Sequence, residues 1–200
     1  ELYIDLGVGG ELFLPRIPND MRNLDVSMLP SVSSEHGITM HVVQLPDSTD
    51  YVNLDWVVNM DWEGTWVIRD LMLRAPVFTE HLSIPSISTN SLYVWPSSSG
   101  CEIGTLDLTS VEADRISLQN IYNSYVIWPA SCPDISIDFC SSINLSAPLP
   151  SDLLNFNVYE TSAACLPHLP TSLTYLRIED YSINCIPNWP TALSSAYING

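Results

Sequence analysis

The sequence predicts a mainly β protein: a solenoid of about nine stacked strand–turn repeats, uncapped at both ends. Three observations carry this. Leu153, Phe156 and Val158 recur as Leu173, Leu176 and Ile178, and again as Leu193, Ala196 and Ile198, each set 20 residues after the last. Pro150, Pro170 and Pro190 fall on the same period. Helical periodicity is nearly absent; only "SVEADRISLQNIYN" (110–123) leaves room for a helical turn or two.

The unit reads P-[ST]-x-L-x-x-Φ-x-Φ, with Φ apolar. Along the chain it begins with Ile4 and Leu6, continues with Pro18, Met21, Leu24 and Val26, and then with Tyr51, Leu54 and Trp56. Next come Leu82 and Ile84 after Pro76, then Ile103, Leu106 and Leu108, then Cys132, Ile135 and Ile137, and finally the three regular units. The second apolar positions are 4, 24, 54, 82, 106, 135, 156, 176 and 196, at intervals of 20, 30, 28, 24, 29, 21, 20 and 20. This describes one repeat domain over 1–200, regular in 1–26 and 129–200 and carrying longer insertions in 27–128.

A Φ-x-Φ triplet is a short strand with two side chains on one face. One such strand cannot bury that face alone, whereas copies stacked about 4.8 Å apart build a continuous sheet and core. The prolines mark the corners, because proline fixes φ and cannot donate to a central ladder.

The segments "LPHLPTSLTYLRIEDYSINCIP" and "APLPSDLLNFNVYETSAACLP" resemble the short leucine-rich repeats of bacterial effector proteins, whose unit is LPxLPxxLxxLxVxxNxLxxLP. Leu173, Leu176, Ile178, Ile183 and Ile186-Pro187 occupy the apolar sites of that unit, and the likeness covers residues 146–200. The unit's asparagine is replaced by Tyr181 in one copy and Thr161 in the other. The resemblance implies a leucine-rich-repeat-like solenoid and a role in binding rather than catalysis.

Composition narrows the function. Acidic residues number 23 against 6 basic ones, for a net charge of −17, which argues against nucleic acid as a partner because phosphate contacts need clustered Lys and Arg. All the basic residues are arginine, so trypsin finds few sites. No apolar run reaches the roughly 18 residues of a transmembrane segment. The chain starts at Glu1 rather than Met, consistent with a removed leader or an excised piece. Five cysteines with no CxxC pattern point to an oxidising compartment, and so to an extracellular or cell-surface location.

Cys165 and Cys185 lie 20 residues apart, at the same position of adjacent units, where stacking brings their Cα atoms to about 5 Å, within reach of a disulfide. The other reading is that these two, with Cys101, Cys132 and Cys140, are small core residues. "PDSTDYVNLD" offers Asp47, Asp50, Asn53 and Asp55 as hard oxygen ligands for a structural Ca2+, although their spacing fits no EF-hand and a solvated acidic loop is the plainer reading. No other cofactor is expected. Trp95, Trp128 and Trp189 each precede a proline and either stack on sugars or fill buried corners, while Trp56, Trp62 and Trp66 cluster as a separate apolar plug or contact patch. His36, His41, His81 and His168 pair with no nucleophile at motif spacing and there is no GxSxG, so no enzyme is expected. Asn144-Leu145-Ser146 is a single glycosylation sequon.

"ELYIDLG" opens and "SSAYING" closes the chain on strand motifs without polar caps. Either the chain is a slice of a longer repeat protein, or Ile4 and Leu6 of one copy receive Ala196 and Ile198 of the next. The second option is a heterologous, head-to-tail contact that generates a ring or filament. The function expected is therefore a self-assembling extracellular structural protein, the subunit of a sheath, surface layer or filament, with itself as partner. The alternative is a leucine-rich-repeat binding module, a fragment of an adhesin, receptor or effector, that recognises protein or glycan.

Overall fold

Alternation of apolar and polar residues along each coil produces short strands whose inner side chains meet in one continuous core. The computed structural model describes residues 1–6, 10–28, 38–75, 78–96 and 100–200; Pro76 and His36 lie outside these. The first coil carries β1 (Leu2–Leu6) and β2 (Gly10–Leu14), the second β3 (Asn23–Met28) and β4 (Ile38–Val42), the third β5 (Thr49–Asp55) and β6 (Val57–Trp62). The fourth carries β7 (Trp66–Ala75) and β8 (Phe78–Ser83), and the fifth β9 (Ile87–Pro96) and β10 (Cys101–Asp107). The sixth carries β11 (Val111–Gln119), β12 (Ile121–Tyr122) and β13 (Tyr125–Ile127). Single strands follow: β14 (Asp134–Asp138), β15 (Asn155–Tyr159), β16 (Tyr175–Glu179) and β17 (Ser195–Asn199).

The result is a β-solenoid. Every strand pairing is parallel, and one sheet of ten strands runs β1-β3-β5-β7-β9-β11-β14-β15-β16-β17 among the described residues. Its inner side chains form two columns. Leu24, Val52, Leu71, Leu92, Ile116, Ile135, Phe156 and Leu176 make one; Val26, Leu54, Leu73, Val94, Leu118, Ile137, Val158 and Ile178 make the other, and all sixteen are buried. Burying such a side chain contributes about 1.5–3 kcal/mol, so each coil is held by its contacts with the next. The opposite wall is uneven. Strands β2, β4 and β6 form one small sheet, and β8, β10, β12 and β13 another. Beyond them the ladder thins to isolated bridges at Tyr125–Asn144 and Cys165–Cys185, where proline-rich extended chain carries Leu145, Leu149, Leu166 and Leu169 into the core. Among the described residues no helix is long and apolar enough to cross a membrane.

Two devices set the corners. After the strand, Trp56, Asn120, Phe139 and Glu160 take left-handed backbone, with φ of 64, 52, 55 and 47°, and each donates its N–H to a carbonyl of the following coil. Before the strand runs a column of bulges. The N–H groups of Leu154 and Asn155 share the carbonyl of Pro133; those of Thr174 and Tyr175 share Leu154; those of Ser194 and Ser195 share Thr174. In the longer strands the pairing skips Asp50, Arg69, Asn90 and Asp114 at the same level, and buried Thr89 donates to the carbonyls of Arg69 and Ser91 there.

Several sequence expectations need correction. The residues around Leu82–Ile84 and Ile103–Leu108 belong to the second wall, on β8 and β10, not to the main sheet. The true members at those levels are Leu71 with Leu73, Leu92 with Val94, and Ile116 with Leu118, which raises nine strands to ten. Both walls bury alternate residues into one core, so their patterns read alike. The column from Ile4 to Ile198 then steps by 22, 28, 19, 21, 24, 19, 21, 20 and 20 residues, and most of the supposed insertion is strand of one wall or the other. The stretch 110–123 is not helical but holds β11; the bulge at Asp114–Arg115 moves its buried residues to 111, 113, 116 and 118, a spacing that imitates a helix face. Leu2 lies beside Leu24 and Ile4 beside Val26, so the first strand is in phase through Leu2 and Ile4 rather than Ile4 and Leu6.

The outward strand face as a candidate interaction surface

Residues between and beside the apolar pairs point away from the core and stack into three outward columns. The first runs Asn23, Tyr51, Asp70, Ser91, Arg115, Asp134, Asn155, Tyr175, Ser195. The second runs Tyr3, Asp25, Asn53, Met72, Tyr93, Ser117, Ser136, Asn157, Arg177, Tyr197. The third includes Asp55, Arg74 and Trp95 on neighbouring strands, and further along Gln119, Asp138, Tyr159, Glu179 and Asn199. Six of the nine tyrosines and three of the six arginines of the chain stand on this face. Tyrosine and arginine supply contact area and directional donors, while Asn, Ser and Asp supply adaptable hydrogen bonding; binding surfaces are enriched in this mixture.

Local contacts hold the grid. Arg115 Nη2 donates to Asp134 at 2.9 Å, which pushes the Arg115 guanidinium up from its ordinary value. Arg177 pairs with Glu179 and lies 5.7 Å from the Tyr197 ring centroid. Tyr93 meets Trp95 edge-on at 5.8 Å, and Phe139 meets Tyr159 at 4.9 Å on the adjoining corner. On β5, Asn53 is only 6% exposed although it points outward. Its Nδ2 donates to Asp25 at 3.2 Å, while Asn53 Oδ1 and Asp55 Oδ1 are shielded from water and have no partner. Burial pushes the Asp55 carboxyl up. Beside the face, at the bulge column, opens a depression of about 780 Å³ lined by Ser48, Asp50, Arg69, Asn90, Glu112 and Asp114 together with apolar residues such as Val67 and Val111.

The four residues named for calcium are not gathered. Asp47 accepts from Asn19 Nδ2 at 3.0 Å, and Asp50 pairs with Arg22 at 3.0 Å and Arg69 at 3.6 Å. Asn53 and Asp55 sit on the outward face. Among the described residues no group of three or more His, Cys, Asp or Glu is placed to hold a metal ion.

Cys165 and Cys185 form a disulfide between adjacent coils, with Cα atoms 4.5 Å apart. Cys101, Cys132 and Cys140 are free and buried, and burial raises each thiol to about 12. The disulfide closes 20 residues, so the Cys165→Ser/Cys185→Ser double variant is expected to lose about 3 kcal/mol against the oxidised chain in urea titrations.

Trp128 is buried, Trp95 stands half-buried on the face and Trp189 is 56% exposed. Trp62 and Trp66 meet edge-on at 5.2 Å within the core rather than as a separate plug. His41 stacks on Phe13 at 4.6 Å and faces Asp61 at 3.3 Å, while His81 and His168 are exposed. Asn144 is exposed, with its Oδ1 accepting from Ser146 N at 2.9 Å. Ile4 and Leu6 lie on β1, and Ala196 and Ile198 on β17, the outermost strands of the main sheet among the described residues.

In the sequence the outward columns show only as the residue between each Φ pair, and the repeat itself is defined by its apolar positions. No protein-family model, curated protein or solved structure matches the chain.

Proposed function

We propose that this solenoid is a non-catalytic binding module of leucine-rich-repeat type, acting outside the cell and holding a protein partner on its ten-stranded face. One observation carries the reading: the outward columns place Tyr, Asn, Ser, Asp and Arg side chains side by side in successive coils over a rigid parallel sheet. A repeated sheet gives a wide surface with little ordering cost on binding, because the backbone is already fixed. The disulfide favours an oxidising compartment. This face is preferred to the outermost strands as the working surface because its chemistry recurs coil after coil and does not depend on how the chain continues.

Selection from a phage-displayed peptide library against the purified, oxidised protein tests the reading. Selected peptides are expected to lose at least tenfold in affinity on a Tyr93→Ser/Tyr175→Ser variant and less than twofold on Phe13→Ser, which alters the other wall. Retained affinity on Tyr93→Ser/Tyr175→Ser would sink the proposal. A monomer in light scattering would in turn dispose of head-to-tail assembly through Ile4, Leu6, Ala196 and Ile198.

A further inference from the structure

Asn144 lies on the wall opposite the ten-stranded face, in the stretch where the ladder thins to single bridges, and its ladder partner there is Tyr125. Along extended chain, successive side chains point to opposite sides. Burial of Ile143, Leu145 and Ala147 in the core therefore turns Asn144 and Ser146 outward together. We propose that Asn144 is a site of N-linked glycosylation, and that the glycan is rooted in a shallow depression which Asn144 shares with the Cys165–Cys185 bridge. The proposal rests on the extracellular placement given above, and not on the strand face as the binding surface.

Three separate observations meet at this residue. The first is the acceptor pattern itself, Asn-Leu-Ser, in which the transferring enzyme reads the hydroxyl residue two places after the asparagine. The second is a free acceptor nitrogen. The turn is closed by the other amide atom, since Asn144 Oδ1 accepts from Ser146 N at 2.9 Å, while Nδ2 has no partner among the described residues. A sugar on Nδ2 thus displaces no contact of the fold. The third is room. A depression of about 410 Å³ adjoins Asn144, lined by Ser142, Ser146, Ser162, Ala164 and Cys165 among others, with no charged side chain in its lining. A sugar ring lying there covers small hydroxyl and methyl groups and leaves no charge unpaired. The disulfide in the same depression favours an oxidising compartment, the setting that a glycosylated surface segment of an exported protein requires.

The co-reactant is an oligosaccharide carried on a polyprenyl pyrophosphate. The bond from Asn144 Nδ2 to the anomeric C1 of the first sugar forms, and the bond from C1 to the phosphate oxygen breaks. Polyprenyl pyrophosphate leaves with the electron pair, and one amide proton is released. Nothing is oxidised or reduced. Attached here, the glycan shields the wall of the solenoid away from the Tyr and Arg columns and leaves those columns open.

The full chain, secreted from a eukaryotic host, is examined by intact mass before and after treatment with peptide N-glycosidase. Thiol counting after denaturation, expected to find the three free cysteines, confirms that the material passed through an oxidising compartment. The wild type is expected to carry a glycan that the enzyme removes, with Asn144 converted to aspartate in the released peptide. Ser146→Ala, which keeps Asn144 and its backbone turn, should be secreted without the glycan, and Ser146→Thr should retain it. Oxidised wild type without a glycan would overturn the proposal, as would a glycan that persists in Ser146→Ala. For the seat of the glycan, the disulfide of the glycosylated wild type should be reduced by dithiothreitol at least threefold more slowly than that of Ser146→Ala. Equal rates would overturn the shared depression. Failure of the peptide selection on the strand face would leave each of these outcomes unchanged, so the two readings fail separately.

Discussion

Asp180→Ala is expected to destabilise the protein by about 3–5 kcal/mol in urea titrations. Asp180 is 5% exposed, and its carboxylate accepts from the backbone N–H and hydroxyl of Thr161, the N–H of Ser162, and the N–H and hydroxyl of Ser182. Truncation leaves these donors unmade in a site with little water. Each orphaned buried group costs about 1–3 kcal/mol, part of which is recovered by relaxation. Asp180→Asn keeps one acceptor oxygen and sets an amide against donors, so a loss of about 2 kcal/mol is expected. The carboxylate also makes the corner sensitive to acid. Burial alone would raise its pKa, but the hydrogen bonds from Ser182 and Thr161 outweigh it and hold the group below the ordinary carboxylate value. A depressed folded-state pKa contributes stability that is fully present above the unfolded value near 4 and is lost as pH falls through the folded value. The gap between wild type and Asp180→Asn should therefore narrow as pH drops from 6 to below 4; a gap independent of pH would show that the charge is not the source.

Trp66→Ala carries the second large effect. Trp66 is fully buried on β7, meets Trp62 edge-on, and donates from Nε1 to Thr49 Oγ1 at 3.0 Å. Removing the indole costs about 3–5 kcal/mol in transfer and cavity terms, while Trp66→Phe, which keeps most of the apolar area, should cost about 1–2 kcal/mol through the lost hydrogen bond. The position of β7 inside the array sharpens the outcome. Each coil touches only its neighbours, so a defect there weakens the link between the coils before and after it. The urea transition of Trp66→Ala is expected to broaden or split, with a smaller m-value; a single transition with wild-type slope would show that the stack folds as one unit regardless.

The architecture was legible where a coil contains one strand. From Cys132 to Ile198 each coil supplies one strand to the same sheet, and spacing alone gives the register. Between Val26 and Ile116 two strands share each coil and bury into one core, so Leu82 and Leu106 imitate main-sheet residues and Leu71 and Leu92 pass unnoticed. The bulge at Asp114–Arg115 hid a strand in the same way, by shifting the phase of its buried residues. For the site, equal placement in the repeat was enough to join Cys165 to Cys185. Asn53 and Asp55 offer oxygen ligands that suggest calcium, yet their ladder neighbours, Asp25 and Arg74, lie 28 and 19 residues away in sequence, which no local spacing encodes. Asp180 carries no signal in the sequence, since the asparagine site of the unit falls on Tyr181 beside it while the polar network converges on Asp180.

The link between Cys165 and Cys185 has a mechanical consequence. Pulled from its two ends, a stack of parallel coils loads its ladder bonds one row at a time, and each released coil adds roughly 70 Å of contour length for about 20 residues. In the oxidised protein, the loop between the two cysteines, whose sequence separation is 20, cannot contribute, because the sulfur bridge carries the tension across it. The fully extended chain should therefore be shorter by about one coil than the reduced chain, and the missing length should return when a reductant is added under load. Of the coils described here, the one bounded by the two cysteines is the one whose extension is gated by the redox state of its surroundings.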